Sequence, residues 1–492
     1  MKQKTITDAM LTDLYQLTMA QGYYLSGQDK VDASFTMFFR ENPFKGGFAV
    51  AAGIEPALEY LENFGFSEED VAYLATLKAA DGTPLFVEEF LNELLTYTFT
   101  CDVEAVEEGS VVFAREPLIQ VRGPIAQCQL VETTLLNILN FSTLIATKAA
   151  RCAIAAQGDP ILEFGLRRAQ GPDGGVMASR ASYIGGCAAT ANTLAGQLYD
   201  IPVAGTHAHS WVMAFDSEEE SFEAYARTSS NNVVLLVDTY DALAGTDKAI
   251  KVGLEMEARG EHFAGIRIDS GDLAYLSKEA RKKLDAAGLT EAKIYCSNEL
   301  DEYTISSLKD QGAPIEVWGV GTKLVTAFDQ PSLGGVYKLT AVRKPGSSAW
   351  EPRIKVSEQS NKMTTPGLQG VRRYTSKDGV FVGDMVYTEG HEFSGDATMV
   401  DPLDATRQKT FSEHCEYRDL LTPLMKNGKT VRAMKSLAEM QQLAREEIAH
   451  LHETQLRFLN PHSYPVGLEK SLFDMRYNLV LQARQASATE ID

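Results

Sequence analysis

The stretch "AGIRIDSGDLAYLSKEARKKLDAAG", residues 264–288, decides how the chain is read. A short apolar run carries one charge, Arg267, and ends in the polar cluster Asp269-Ser270-Gly271-Asp272. A helical segment follows, opened by Asp272 as N-cap and closed by Gly288. The whole reads as one βα unit. On a strand, Arg267 and Asp269 share a face because they are two residues apart. A guanidinium grips a carboxylate through a two-donor fork, and Asp269 and Asp272 suit ribose hydroxyls or Mg²⁺. The plainer reading is a structural Arg267–Asp269 pair.

Similar apolar runs lie on both sides, at 161–168, 201–210, 233–241, 293–300, 315–322 and 336–342. Their spacing of roughly 20 to 40 residues fits repeated βα units. Polar residues gather at their C-terminal ends: Arg167 and Arg168, Thr206 to His209, Asp238 and Asp241, Ser297 to Glu299, and Gly319 to Thr322. In a (β/α) barrel those ends share one face, and that face carries chemistry. The barrel is expected over residues 126–345, entered by long apolar helices up to Gly158. Residues 1–125 read as an α+β domain, with a helix over 8–25, a strand ending at Pro43 and a small β unit around Gly109 and Gly123. Residues 346–492 are turn-rich, then helical and charged. They are expected to pack back on the first domain or the barrel.

Composition narrows the function. Lys+Arg is 46 and Asp+Glu is 67, a net charge of 46 − 67 = −21. That sign disfavours nucleic acid and anionic membranes as partners, though a few local arginines can still hold a small anion. Six cysteines form no C-x-x-C, so reduced thiols in a cytoplasmic protein are expected. The first sixteen residues show no apolar run of a signal peptide, and no stretch approaches a membrane span.

Other motifs point to phosphate and to a flat anion. "VVLLVDTYDALAGT", 233–246, offers Asp238 and Asp241 for ribose hydroxyls, and Gly245–Thr246 as a small turn for a phosphate. A buried strand with solvated acids is the alternative. "WGVGTKL", 318–324, places Gly319, Gly321 and Thr322 at a strand end, where amides can approach a phosphate. "EFGLRRAQGPDGG", 163–175, sets Arg167 and Arg168 beside Phe164, suited to a flat anionic ring. "GTHAHSW", 205–211, holds His207 and His209, which would point the same way on a strand. A metal-dependent barrel hydrolase would use such a pair, but the remaining histidines lie away from the other strand ends. A core histidine is a second reading. A nucleophilic imidazole that accepts a phosphoryl group is a third.

"LTDLYQLTMAQGYY", "EFGLRRAQGPDGG", "GTHAHSW", "IRIDSGD", "SNELDE" and "VWGVGTKL", in this order, resemble the nicotinate phosphoribosyltransferase family, over about residues 8 to 340. The resemblance implies an α/β fold, an irregular (β/α) barrel joined to an α/β (α+β) domain built from the N- and C-terminal segments. It implies a cytoplasmic, usually dimeric enzyme. Nicotinate, phosphoribosyl pyrophosphate, ATP and water become nicotinate mononucleotide, pyrophosphate, ADP and phosphate, with Mg²⁺ and a phosphohistidine, in NAD salvage. Carried over by motif, His209 of Ala208-His209-Ser210 is the phosphohistidine and Asp269 its catalytic companion. Tyr15, from the partner subunit, Phe164, Arg167, Thr206 and Arg267 meet nicotinate. Asp269, Gly319, Gly321 and Thr322, with Ser297 and Asn298, meet phosphoribosyl pyrophosphate, and the reading of the motifs themselves adds Asp238 and Asp272. Related amide-using enzymes carry an Asp where Asn192 stands here, so the acid is the expected substrate, and the amide the alternative.

Overall fold

The computed structural model describes residues 8–228 and 232–489. The first seven residues of the N-terminal stretch lie outside it. The chain forms two compact units. One comprises Met1–Thr143, Ser332–Ser436 and Glu446–Asp492, the other Leu144–Pro331 and Leu437–Arg445. The division at Thr143 falls inside the helix Glu132–Ala156.

The first unit carries two sheets. Asp32–Phe39 sits between Gly335–Arg343 and Ile119–Pro124, antiparallel to both, in a seven-stranded sheet. The run expected as a further barrel strand at 336–342 is therefore a strand of this sheet instead. Phe35 stacks on Tyr337 with ring centroids 5.0 Å apart. Periodicity marked this run as a strand but carried no information about its partner, which lies about three hundred positions away. The second sheet has six strands. Two of them, Phe381–Thr388 and Val466–Glu469, pair in parallel. Beside it Arg373 is fully buried, donating to Asp384 at 3.0 Å and Glu447 at 3.0 Å between the rings of Phe113 and Phe381.

The second unit is built on a curled six-stranded parallel sheet. Its strands are β1 (Ile161–Glu163), β2 (Ala189–Thr190), β3 (Val233–Leu236), β4 (Phe263–Ile268), β5 (Lys293–Cys296) and β6 (Val317–Val320). They lie in the order β2-β1-β6-β5-β4-β3. The helix after β4 runs Leu273–Ala286, with the Asp272 side chain accepting the Tyr275 N–H. Gly288 follows in the left-handed region.

The stretch 201–210 does not form the strand expected of it. Only Val203 makes a parallel bridge, to Thr190 of β2. Ala204 donates to the Thr190 carbonyl, and Thr190 donates to the Pro202 carbonyl, both at 3.0 Å. Four residues later the same stretch reaches the other free edge of the sheet. There the Leu236 N–H of β3 donates to His207 Nε2 at 3.1 Å. An imidazole nitrogen thus serves as the acceptor that a neighbouring strand's carbonyl would have provided. It links the two edges of the half-barrel.

His207 is packed edge-on to Tyr225, centroids 4.6 Å apart, and close to Phe222. Burial pushes its pKa down to about 4, and the Arg267 and His209 charges add to the effect. The sign follows from linkage. An unfolded histidine takes up a proton near pH 6.5, whereas the folded one stays neutral until about pH 4. The stability that His207 contributes is therefore complete above pH 6.5 and falls as pH drops from 6.5 toward 4. Two-dimensional NMR titration should show the His207 ring unprotonated at pH 5.5. His207→Ala should lower stability by about 1–3 kcal/mol, the cost of leaving the Leu236 N–H unsatisfied, measured by denaturant unfolding.

Candidate active site

The polar strand ends of the half-barrel meet around Arg267. It lies on β4, whose apolar neighbours Ile266 and Ile268 are buried, so alternation turns the arginine to the opposite side. Its guanidinium donates from Nε to Ser297 Oγ at 2.7 Å, from Nη1 to Thr206 Oγ1 at 2.8 Å and from Nη2 to Asp269 Oδ1 at 3.0 Å. That uses three of its five N–H donors. Of the remainder, one faces the His207 carbonyl at 3.5 Å. The planar fork is held in one orientation with donor capacity left over.

Asp269 is gripped from several sides. The Ser297 hydroxyl donates to Oδ1, the atom that also accepts from Arg267. Burial raises its pKa, but the Ser297 hydrogen bond and the Arg267 charge outweigh that, and the carboxyl is held below its ordinary value. Its second oxygen, Oδ2, lies 3.6 Å from His209 Nε2. The other ring nitrogen of His209, Nδ1, is 3.1 Å from Thr239 Oγ1. His209 opens the short helix His209–Met213 and is 39% exposed, whereas His207 is buried. The shared strand face expected for the two histidines is therefore corrected. They occupy different environments, and the His207 lone pair is taken by a backbone amide. The metal-hydrolase alternative loses its pair on that ground.

Phe164 forms the wall opposite. Its ring centroid is 5.7 Å from the Arg267 guanidinium carbon. Gly319 of β6 is what lets it lie there, since a Cβ at that position would stand 2.7 Å from the ring. Gly321 runs beside the Phe164 and Gly165 backbone. Arg167 and Arg168, in the 3₁₀ turn Leu166–Arg168, are exposed, and among the described residues their side chains have no hydrogen-bond or ion-pair partner. Thr322 Oγ1 approaches Glu299 at 3.5 Å. Asn298 is exposed, with φ of 118°, a conformation rare for any residue but glycine. Tyr15 belongs to the first unit, on the helix Leu14–Ser26, and is half exposed.

The acids divide by role. Asp238 Oδ2 accepts the Asp269 N–H at 2.9 Å and the Ser270 hydroxyl at 2.5 Å. Its Oδ1 is buried without a partner among the described residues. Asp241 and Asp272 are N-caps of the helices Ala242–Ala258 and Leu273–Ala286. The phosphate turn expected at Gly245–Thr246 is instead the second turn of a helix, because Thr246 Oγ1 donates to the Ala242 carbonyl and Gly245 packs against the Val237 carbonyl. Asn192 is buried as the N-cap of the helix Thr193–Tyr199, its amide nitrogen 3.2 Å from Ser179 Oγ.

Three features escaped sequence reasoning. Thr239 follows Asp238 directly, so the strand-end rule applied to it as well. Glu163 stands one residue before Phe164 but looked like part of an apolar run. The third is a cavity of about 1260 Å³ in the first unit, lined by Arg40, Lys45, Arg115, Arg407, Lys409 and His462 together with Glu41, Asp401 and Asp404. Its lysines and arginines come from three distant parts of the chain and form no run in the sequence.

The chain is similar to known proteins over most of its length. The nicotinate phosphoribosyltransferase (NAPRTase) N-terminal domain matches residues 10–140, the NAPRTase family 161–382 and the NAPRTase C-terminal domain 369–476. The nicotinate phosphoribosyltransferase of Bacillus subtilis (strain 168) is 41% identical over 485 residues, covering 98% of this chain and 97% of that protein. The Homo sapiens protein of the same name is 35% identical, covering 94% and 95%. The crystal structure of human nicotinic acid phosphoribosyltransferase superposes with a TM-score of 0.83 at 33% identity, covering 95% of this chain and 99% of that one. The chain belongs to the nicotinate phosphoribosyltransferase family.

Proposed function

We propose that the chain transfers the phosphoribosyl group of phosphoribosyl pyrophosphate to the ring nitrogen of nicotinate, giving nicotinate mononucleotide and pyrophosphate, with ATP hydrolysed to ADP and phosphate through phospho-His209. The observation that carries the reading is the Arg267 guanidinium, locked by three partners beside the Phe164 ring. A flat aromatic acid matches both halves of that arrangement. The ring lies on Phe164, and its carboxylate takes the spare guanidinium donors with help from Arg167. Asn192, uncharged and buried as a helix N-cap, stands where related amide-using enzymes carry an Asp, which favours the acid over the amide.

In the transfer, the pyridine nitrogen forms a bond to ribose C1 as the bond from C1 to the pyrophosphate oxygen breaks. The transition state resembles an oxocarbenium ion. The protein's task is to align nitrogen, C1 and leaving oxygen and to meet the developing charge. His209 takes the γ-phosphoryl group of ATP on a ring nitrogen and later yields it to water. Thr239 orients the ring from one side and Asp269 from the other. Asp238 Oδ1, buried and without a partner among the described residues, and Asp269 Oδ2 fit a hard cation. They would hold Mg²⁺ arriving with phosphoribosyl pyrophosphate, which supplies charge neutralisation at the leaving group. The cation-lined cavity of the first unit has the charge to hold a polyphosphate.

The same reading places the protein in the cytoplasm as a homodimer, with Tyr15 of the partner subunit completing the nicotinate seat. Among the described residues no helix is long and apolar enough to cross a membrane.

Pyrophosphate release measured with nicotinate, nicotinamide and quinolinate, each with and without ATP, tests the reading. Nicotinate alone should give turnover, and ATP should stimulate it. His209→Ala should abolish the stimulation by ATP while leaving slow ATP-independent transfer. Unchanged coupling in that variant sinks the phosphohistidine. Arg267→Lys keeps the charge but loses the fork. The nicotinate KM should rise about tenfold to a hundredfold in steady-state assays, the loss of a hydrogen bond to a charged group.

A further inference from the structure

Glu163 ends β1 with its carboxylate buried, 1% exposed. Oε1 accepts the Gly165 N–H at 2.5 Å, and Oε2 accepts the hydroxyls of Thr190 at 2.6 Å and Ser179 at 2.9 Å. Among the described residues no cation pairs with it. A buried carboxylate without a cation is costly, and is tolerated when several donors are aimed at it.

The three donors come from three places: the turn after β1, the helix Pro172–Ile184 and β2. Phe164 lies between Glu163 and Gly165. Its own N–H donates to the Val320 carbonyl of β6 at 2.9 Å, and the next N–H goes to Glu163. Two successive amides are thereby pinned, which fixes the backbone on both sides of Phe164 and aims its ring across Gly319 toward Arg267. On the far side, the Thr190 hydroxyl also accepts the Asn192 N–H at 3.0 Å, so the same carboxylate organises the turn into the helix Thr193–Tyr199. A neutral group in this position would bind the hydroxyls more weakly and leave the Gly165 amide less firmly held.

We propose that Glu163 is the positioning residue for the pyridine ring of the substrate: it touches no substrate, but its buried carboxylate sets the Phe164 platform on which the ring lies. This rests on the reading that Phe164 and Arg267 seat nicotinate. Because Glu163 acts on the ring seat and not on the phosphoribosyl contacts, its loss affects the two substrates unequally.

The test is steady-state pyrophosphate release with nicotinate and phosphoribosyl pyrophosphate varied separately, alongside thermal unfolding, for Glu163→Gln, Ser179→Ala and Thr190→Val. Glu163→Gln keeps the shape and removes the charge. The expected result is a nicotinate KM raised at least tenfold, with kcat and the KM for phosphoribosyl pyrophosphate within twofold of the parent. Ser179→Ala and Thr190→Val should raise the nicotinate KM severalfold in the same selective way. If Glu163→Gln fails to fold, these two milder variants decide the matter. A folded variant set with an unchanged nicotinate KM overturns the proposal, and so does a parallel rise in both KM values, which marks a merely structural role. The parent protein run in parallel separates the two layers. No pyrophosphate from nicotinate with the parent overturns the functional reading and this proposal with it, whereas normal parent turnover beside unaffected variants overturns the role of Glu163 alone.

Discussion

A single hydrogen bond, from the Leu236 amide to the His207 imidazole, sets the geometry on which the site depends. A parallel sheet of six short strands has two free edges, each with unpaired amides and carbonyls that cannot be buried unsatisfied. The segment 202–204 satisfies one edge through β2, and His207 satisfies the other through β3. The consequence is positional. Thr206 is placed to accept from Arg267, and His209 begins a helix two residues beyond His207. Asp238 leaves β3 two residues beyond Leu236 and accepts the Asp269 amide. One imidazole therefore sets the register between a phosphoryl-acceptor candidate and the acids that face it, without joining their chemistry.

The protein is strongly acidic, yet this site must attract anions. Three arginines, Arg167, Arg168 and Arg267, stand at the mouths of β1 and β4. The long-range field opposes an anionic substrate, but at physiological ionic strength it decays over about 8 Å. What an anion near these strand ends meets at contact is the local arrangement, a fixed guanidinium and two exposed ones. Asp269 offsets part of the Arg267 charge, but it engages only one of the guanidinium's donors, so donors remain for a ligand.

How much of this was legible in the sequence depended on the range of the interaction. The helix Leu273–Ala286 and its Asp272 cap were readable because capping is local. The gathering of Arg267, Asp269 and Ser297 followed from one rule about strand ends, and the structure joins them by hydrogen bonds, with Thr206, from a stretch that is not a strand, bonded to Arg267 alone. The failures were of two kinds. At 201–210 and 336–342 the apolar pattern marked extended chain but could not identify what it pairs with, since the partners are set by tertiary packing. At Gly245–Thr246 a turn signal sat inside a helix, where glycine was needed for close approach to the Val237 carbonyl. Glu163 was invisible because a buried carboxylate satisfied by hydroxyls has no charged partner in the sequence to announce it.

Buried charge is handled in two ways, and the difference separates the scaffold from the strand ends of the second unit. In the first unit Arg373 is met by Asp384 and Glu447, and Glu447 also pairs with Arg418, so opposite charges face one another. The second unit does the same away from its site, where Glu302 pairs with Lys148 at 2.6 Å and Arg151 at 2.7 Å. At the strand ends the partners are hydroxyls. Arg267 has Thr206 and Ser297, Asp269 has Ser297, Asp238 has Ser270, His209 has Thr239, and Glu163 has Ser179 and Thr190. A hydroxyl both donates and accepts and turns freely about one bond, so it can orient an ion of either sign without cancelling its charge. The Arg267–Asp269 contact is the exception, and there the carboxylate engages only one of the guanidinium's donors. Charge held by hydroxyls stays available to a substrate, and in a preorganised pocket it acts without the reorganisation that water would require.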